Sequence, residues 1–80
     1  MIISVEISYY PLKEDFIPSI VDFIHRLGED ERVSVTTNGM STQMVGEYDE
    51  VMSLLTREIK KTCEIPHSIF ILKIVNSDRR

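Results

Sequence analysis

One thiol, two imidazoles and a scatter of carboxylates are the groups in this 80-residue chain that could do covalent or metal chemistry. Cys63 and His67 lie four apart, a spacing that would pair thiolate with imidazole on one helical face, but Pro66 between them breaks such a helix. A zinc site with four protein ligands needs more Cys or His than Cys63, His67 and His25 supply, and a nucleophilic cysteine needs a base held by an orienting group. His25 and Arg26 close a helical stretch, where a cation interacts favourably with the helix dipole. Glu14, Asp15, Glu29, Asp30 and Glu31 lack the alternating order of a calcium loop and read as solvated helix ends. Asp78-Arg79-Arg80 reads as a solvated tail. Glycines 28, 39 and 46 have neither dinucleotide-binding nor P-loop spacing. The expectation is a protein that is not an enzyme and holds no metal or nucleotide cofactor.

A different chemistry remains. Ser4, Glu6 and Ser8 alternate along one segment, and Ser34, Thr36, Ser41 and Gln43 along two others. Hydroxyls, an amide and one carboxylate can bracket a small heteroaromatic amine, with Tyr9, Tyr10 or Met40 available for stacking. The plainer reading is a sheet face turned to water.

The elements that would position these groups follow from periodicity. Ile3, Val5, Ile7 and Tyr9 alternate with polar residues over 2–10, as in a half-buried strand that Pro11 ends. Phe16, Ile17, Ile20, Val21, Ile24 and Leu27 form a helical stripe with Asp15 as N-cap, Pro18 in the first turn and Gly28 as C-terminal cap. Segments 32–37 and 40–46 read as strands joined by Asn38-Gly39 in a type I′ turn, so that Thr37 faces Met40 and Thr36 faces Ser41. Val33, Val35, Met40 and Met44 then share the core face. A second helix follows Gly46, with Tyr48, Val51, Met52, Leu55 and Ile59 at helical spacing, acidic residues at its start and Lys60-Lys61 at its end. A last strand spans 69–75.

This βαββαβ order predicts an α+β, ferredoxin-like fold: a four-stranded antiparallel sheet of order 4-1-3-2 with both helices on one face. Residues 1–80 are expected to form one domain, because two cores would each be too small. The last strand is apolar on both sides, which predicts that a second subunit covers the open face or the edge beside it. The net charge of −4 argues against nucleic acid. The lone Cys63, the absence of a signal-peptide pattern and the lack of a long apolar run predict a cytoplasmic protein with no membrane span.

Three stretches carry a family resemblance. They are Ile3-Ser4-Val5-Glu6-Ile7-Ser8-Tyr9-Tyr10-Pro11-Leu12, Thr37-Asn38-Gly39-Met40-Ser41-Thr42-Gln43 with Gly46-Glu47-Tyr48-Asp49, and Phe70-Ile71-Leu72-Lys73. Together they resemble the YkoF-like thiamine/hydroxymethylpyrimidine-binding family. The resemblance implies a non-catalytic binder of thiamine or its pyrimidine precursor, built from ferredoxin-like units that pair through their sheets as a homodimer or homotetramer. The family's namesake form carries two such units in one chain and this sequence has one, so a shared site would need another subunit. The candidate ligand-binding residues are Glu6, Ser8, Tyr10, Thr37, Asn38, Met40, Ser41, Thr42 and Gln43. Tyr10 and Asn38 are expected at opposite ends of the sheet. A protein-interaction or regulatory module without a small ligand is the alternative.

Overall fold

The computed structural model describes all residues, Met1–Arg80. Its elements are β1 (Ile2–Pro11), α1 (Ile17–Gly28), β2 (Ser34–Thr37), β3 (Thr42–Glu47), α2 (Tyr48–Thr62) and β4 (Ser68–Val75). The strands form one antiparallel sheet in the order β2-β3-β1-β4, which is the expected 4-1-3-2 read from the other edge. No helix is long and apolar enough to cross a membrane.

Alternation along β1 decides which face is covered. Ile3, Val5, Ile7 and Tyr9 are buried under the helices, in one cluster with Phe23 and Leu27 of α1, Met44 of β3 and Val51, Leu54 and Leu55 of α2. Ser4, Glu6, Ser8 and Tyr10 take the other face. Tyr9 stacks on Phe70 of β4 with ring centroids 4.7 Å apart and meets Phe23 edge-on at 5.3 Å. Three aromatic rings therefore close the core at the end of the sheet where β1 finishes.

The helical stripes differ in phase from the expectation. Phe23 is the buried anchor of α1, whereas Ile17 and Val21 are exposed, because the helix lies with its Ser19, Phe23 and Leu27 line on the sheet. Leu54 joins the buried face of α2 and Tyr48 lies partly outside it. Phe16, not Asp15, is the N-cap of α1, and it makes no side-chain capping bond. Gly28 ends the helix without the positive φ of a glycine cap.

Arg26 does more than complement a dipole. Its guanidinium donates to Glu58 Oε1 at 2.6 Å, Thr62 Oγ1 at 2.7 Å and Asp22 Oδ2 at 3.0 Å, tying α1 to α2. Glu58 also accepts from Arg57 Nε at 2.8 Å. Burial pushes the Glu58 carboxyl up, but the hydrogen bonds from Arg57 and Arg26 outweigh it and the net shift is downward.

Two outcomes are expected. Truncating Phe23 to Ala removes the ring that three elements share and should cost about 3–5 kcal/mol in denaturant unfolding. The depressed Glu58 carboxyl supplies stability that is present above its ordinary value of 4.5 and drains as pH falls through its lower folded value. Glu58→Gln should therefore flatten the acid limb of a stability-against-pH curve.

Candidate functional site

The hairpin between β2 and β3 sets the site, and its register differs from the sequence expectation. Thr37 faces Thr42, Thr36 faces Gln43 and Val35 faces Met44, so the loop holds four residues, Asn38 to Ser41, not two. Asn38 is the cause. Its side-chain Oδ1 accepts from Met40 N at 2.8 Å and Ser41 N at 3.1 Å, and its own N–H donates to Ser41 O at 3.1 Å. An asparagine that bonds its own loop in this way needs no positive φ, and Gly39 has none. The slip is by two residues, so the faces survive: Thr36 and Gln43 stay on the open side, Val35 and Met44 on the core side. Met40 leaves the sheet and is 86% exposed at the loop tip, not on the core face.

β1 and β3 run antiparallel with Ile7 opposite Thr42. The far end of β1 therefore meets the beginning of β3, and Tyr10 and Asn38 lie at the same end of the sheet, not at opposite ends. Between them is a cleft of about 300 Å³, at the small end of the roughly 300–1,000 Å³ range of small-molecule sites. Its sheet side is Ile7 to Pro11, its loop side Thr37 to Thr42, and its helix side Phe16, Ile20, Phe23 and Ile24 of α1.

Seven of the nine candidate residues line this corner cleft: Ser8, Tyr10, Thr37, Asn38, Met40, Ser41 and Thr42. Thr42 is buried on the core side, where its hydroxyl pairs with that of Thr37 at 2.9 Å. The Oδ1 of Asn38 is occupied by its loop, leaving the side-chain NH₂ without a partner. Tyr10 is half exposed on the open face beside Ile69.

Glu6 and Gln43 lie outside the cleft, on the open face. They form a shallow depression of about 530 Å³ with Ser4, Val45, Lys73, Val75 and Arg79. Ser41 joins the two places. Its hydroxyl donates to Glu6 Oε2 at 3.0 Å and accepts from Gln43 Nε2 at 2.9 Å, while Lys73 Nζ stands 3.4 Å from Glu6 Oε1. The Ser41 hydrogen bond, and next the charge of Lys73, hold the Glu6 carboxyl below its ordinary range. The tail is not free in solvent as expected: Ser4 Oγ donates to Ser77 O at 2.7 Å and accepts from Arg79 N at 2.8 Å, strapping it over the start of β1.

Sequence reasoning missed the helix wall, since Phe16, Ile20 and Ile24 read there as core. It also missed Lys73, whose position opposite Glu6 needs the β1–β4 register to become visible.

A model described as the YKOF-related Family matches residues 2–76. The chain belongs to that family. Among solved structures it is similar to protein SP2199 of Streptococcus pneumoniae, at 23% identity and a TM-score of 0.88, over 99% of this chain and 90% of that one. Protein MJ1052 of Methanocaldococcus jannascii is 21% identical with a TM-score of 0.81, over 99% and 84%. A Thermotoga maritima protein, TM0486, named provisionally for thiamine biosynthesis or salvage, is 16% identical with a TM-score of 0.79, over 96% and 85%. No curated protein matches the chain. At these identities the neighbours speak to the fold, and the family match to membership.

The electrostatics of Glu6 give a prediction. Ser41→Ala should raise the Glu6 carboxyl toward its ordinary value more than Lys73→Ala does, followed by carbon-13 NMR titration of the carboxyl carbon. The reverse order would mean that charge, not the hydroxyl, sets it.

Proposed function

We propose that this chain binds thiamine or its hydroxymethylpyrimidine precursor without catalysis, in salvage or transport of the vitamin, and works as a homodimer or homotetramer. Membership of the YKOF-related family supports the reading, as does the name of the Thermotoga relative. The observation that carries it is the corner cleft: parts of two of the stretches singled out in the sequence, Ser8 to Pro11 of Ile3–Leu12 and Thr37 to Thr42 of Thr37–Gln43, meet there against an apolar wall. Half-exposed Tyr10 and Phe16 offer faces for a planar ring. A thiazolium cation suits an acidic protein with aromatic neighbours. The lone, exposed Cys63 fits a reducing, cytoplasmic compartment.

Assembly is supported by β4. Ile69 and Ile71 are exposed on the open face, Ile74 on the helix side, and the strand forms one edge of the sheet. A long apolar edge exposed on both sides invites pairing, and a second copy is its simplest cover. The same surface favours the second reading, an interaction module with no small ligand.

Calorimetric titration separates the two. Thiamine or hydroxymethylpyrimidine should bind with a Kd of roughly 1–100 μM, about 5–8 kcal/mol, and Phe16→Ala should weaken it about tenfold through lost ring contact. No heat at millimolar ligand removes the binding reading and leaves the interaction module. Light scattering should give a dimer or tetramer; a strict monomer contradicts the assembly.

A further inference from the structure

In an antiparallel ladder the N–H and C=O of one residue point to the same side, and successive residues alternate sides. Leu12 N donates to His67 O at 2.9 Å, one step beyond the Pro11–Ser68 pair, so the even residues of β1 bond to β4. The odd residues therefore face β3. The tight Tyr9–Phe70 stack agrees, since non-hydrogen-bonded pairs bring side chains closer. β3 stops at Thr42 opposite Ile7, and the next partner in register, for Tyr9, would be Met40. Met40 instead gives its N–H to Asn38 Oδ1. Outside the regular ladder no hydrogen bond involves the main chain of Tyr9 or the carbonyl of Pro11.

β1 thus ends in a bare main-chain edge along the corner cleft. It offers, in order, the Tyr9 N–H, the Tyr9 C=O and the Pro11 C=O; Pro11 has no N–H to offer. These groups have no protein partner beside the cleft, so a ligand that displaces water from them must itself supply an acceptor for the Tyr9 N–H and a donor for its carbonyl. One residue with both groups is too short an edge for an added peptide strand, and Pro11 removes the next donor. The Tyr9 donor beside the Tyr9 acceptor matches a ring nitrogen next to an exocyclic amino group. Two carbonyls repel a carboxylate or phosphate.

We propose that the main-chain edge of Tyr9 reads the ring edge of an amino-substituted nitrogen heteroaromatic ligand, with the ring nitrogen accepting from Tyr9 N–H and the amino group donating to the Tyr9 carbonyl. The inference rests on the corner cleft being the ligand site. It predicts selectivity that no side chain in the cleft dictates: a 4-oxo ring turns the amino donor into an acceptor and sets it against the Tyr9 carbonyl.

The test uses nitrogen-15-labelled full chain, with hydroxymethylpyrimidine and its 4-oxo analogue as probes. Saturating hydroxymethylpyrimidine should shift the Tyr9 amide resonance downfield and slow its hydrogen exchange at least about tenfold, and the oxo analogue should bind at least about tenfold more weakly. If hydroxymethylpyrimidine binds but leaves the Tyr9 amide unmoved, or the two rings bind equally, the inference is overturned while the binding function stands. If neither ring binds, both fall. Tyr9 protection that grows with protein concentration in the absence of either ring gives the edge to a second copy and also overturns the inference.

Discussion

β1 is longer than the strand beside it, and most of what this protein offers a ligand depends on that mismatch. It pairs with β4 through Pro11 but with β3 only through Ile7. A fully matched sheet would have buried the far end of β1 between two neighbours, with every main-chain group spent. Instead one corner of the sheet is missing, and α1 and the Asn38–Ser41 loop wall the gap. The loop keeps it open because Asn38 spends its carbonyl oxygen on the two amides that would otherwise have extended the ladder.

Ser41 connects this corner to the open face. Its hydroxyl lies between the Glu6 carboxylate and the Gln43 amide, so the loop is held to the sheet by the polar residues that alternation placed on that side. The carboxylate is compensated by a hydroxyl donor and by Lys73 across the strand pair, which keeps it ionised without burying it. Charge on the open face and shape in the corner are therefore linked through one small side chain, while the aromatic stack of Tyr9, Phe23 and Phe70 fixes the floor beneath them.

The fold was legible because its signals are periodic and redundant: period two in β1, helical spacing in α1 and α2, and acidic and basic ends on α2. The hairpin was legible in place but not in register. Asn-Gly suits a two-residue turn, yet the same asparagine can bond its own loop, and only the neighbouring strands decide between the two. The face assignment survived because the slip was even. Phe23 was passed over in favour of Ile17 and Val21, since a helix rich in apolar residues on several sides does not announce which line meets the sheet. The candidate residues were found by type, but the split between Glu6 and Gln43 on one side and the cleft on the other needs the register. The bare edge of Tyr9 has no signature in residue types, because main-chain groups are the same everywhere and only the end of a neighbouring strand exposes them.

A crystal of the full chain soaked in hydroxymethylpyrimidine tests the central claim most directly. The account predicts a flat ring in the corner between Tyr10, Phe16 and the Asn38–Ser41 loop, with its edge toward β1. Density for the ring on the open face over Glu6 and Lys73, or a corner filled by the side chain of a neighbouring copy, would contradict it.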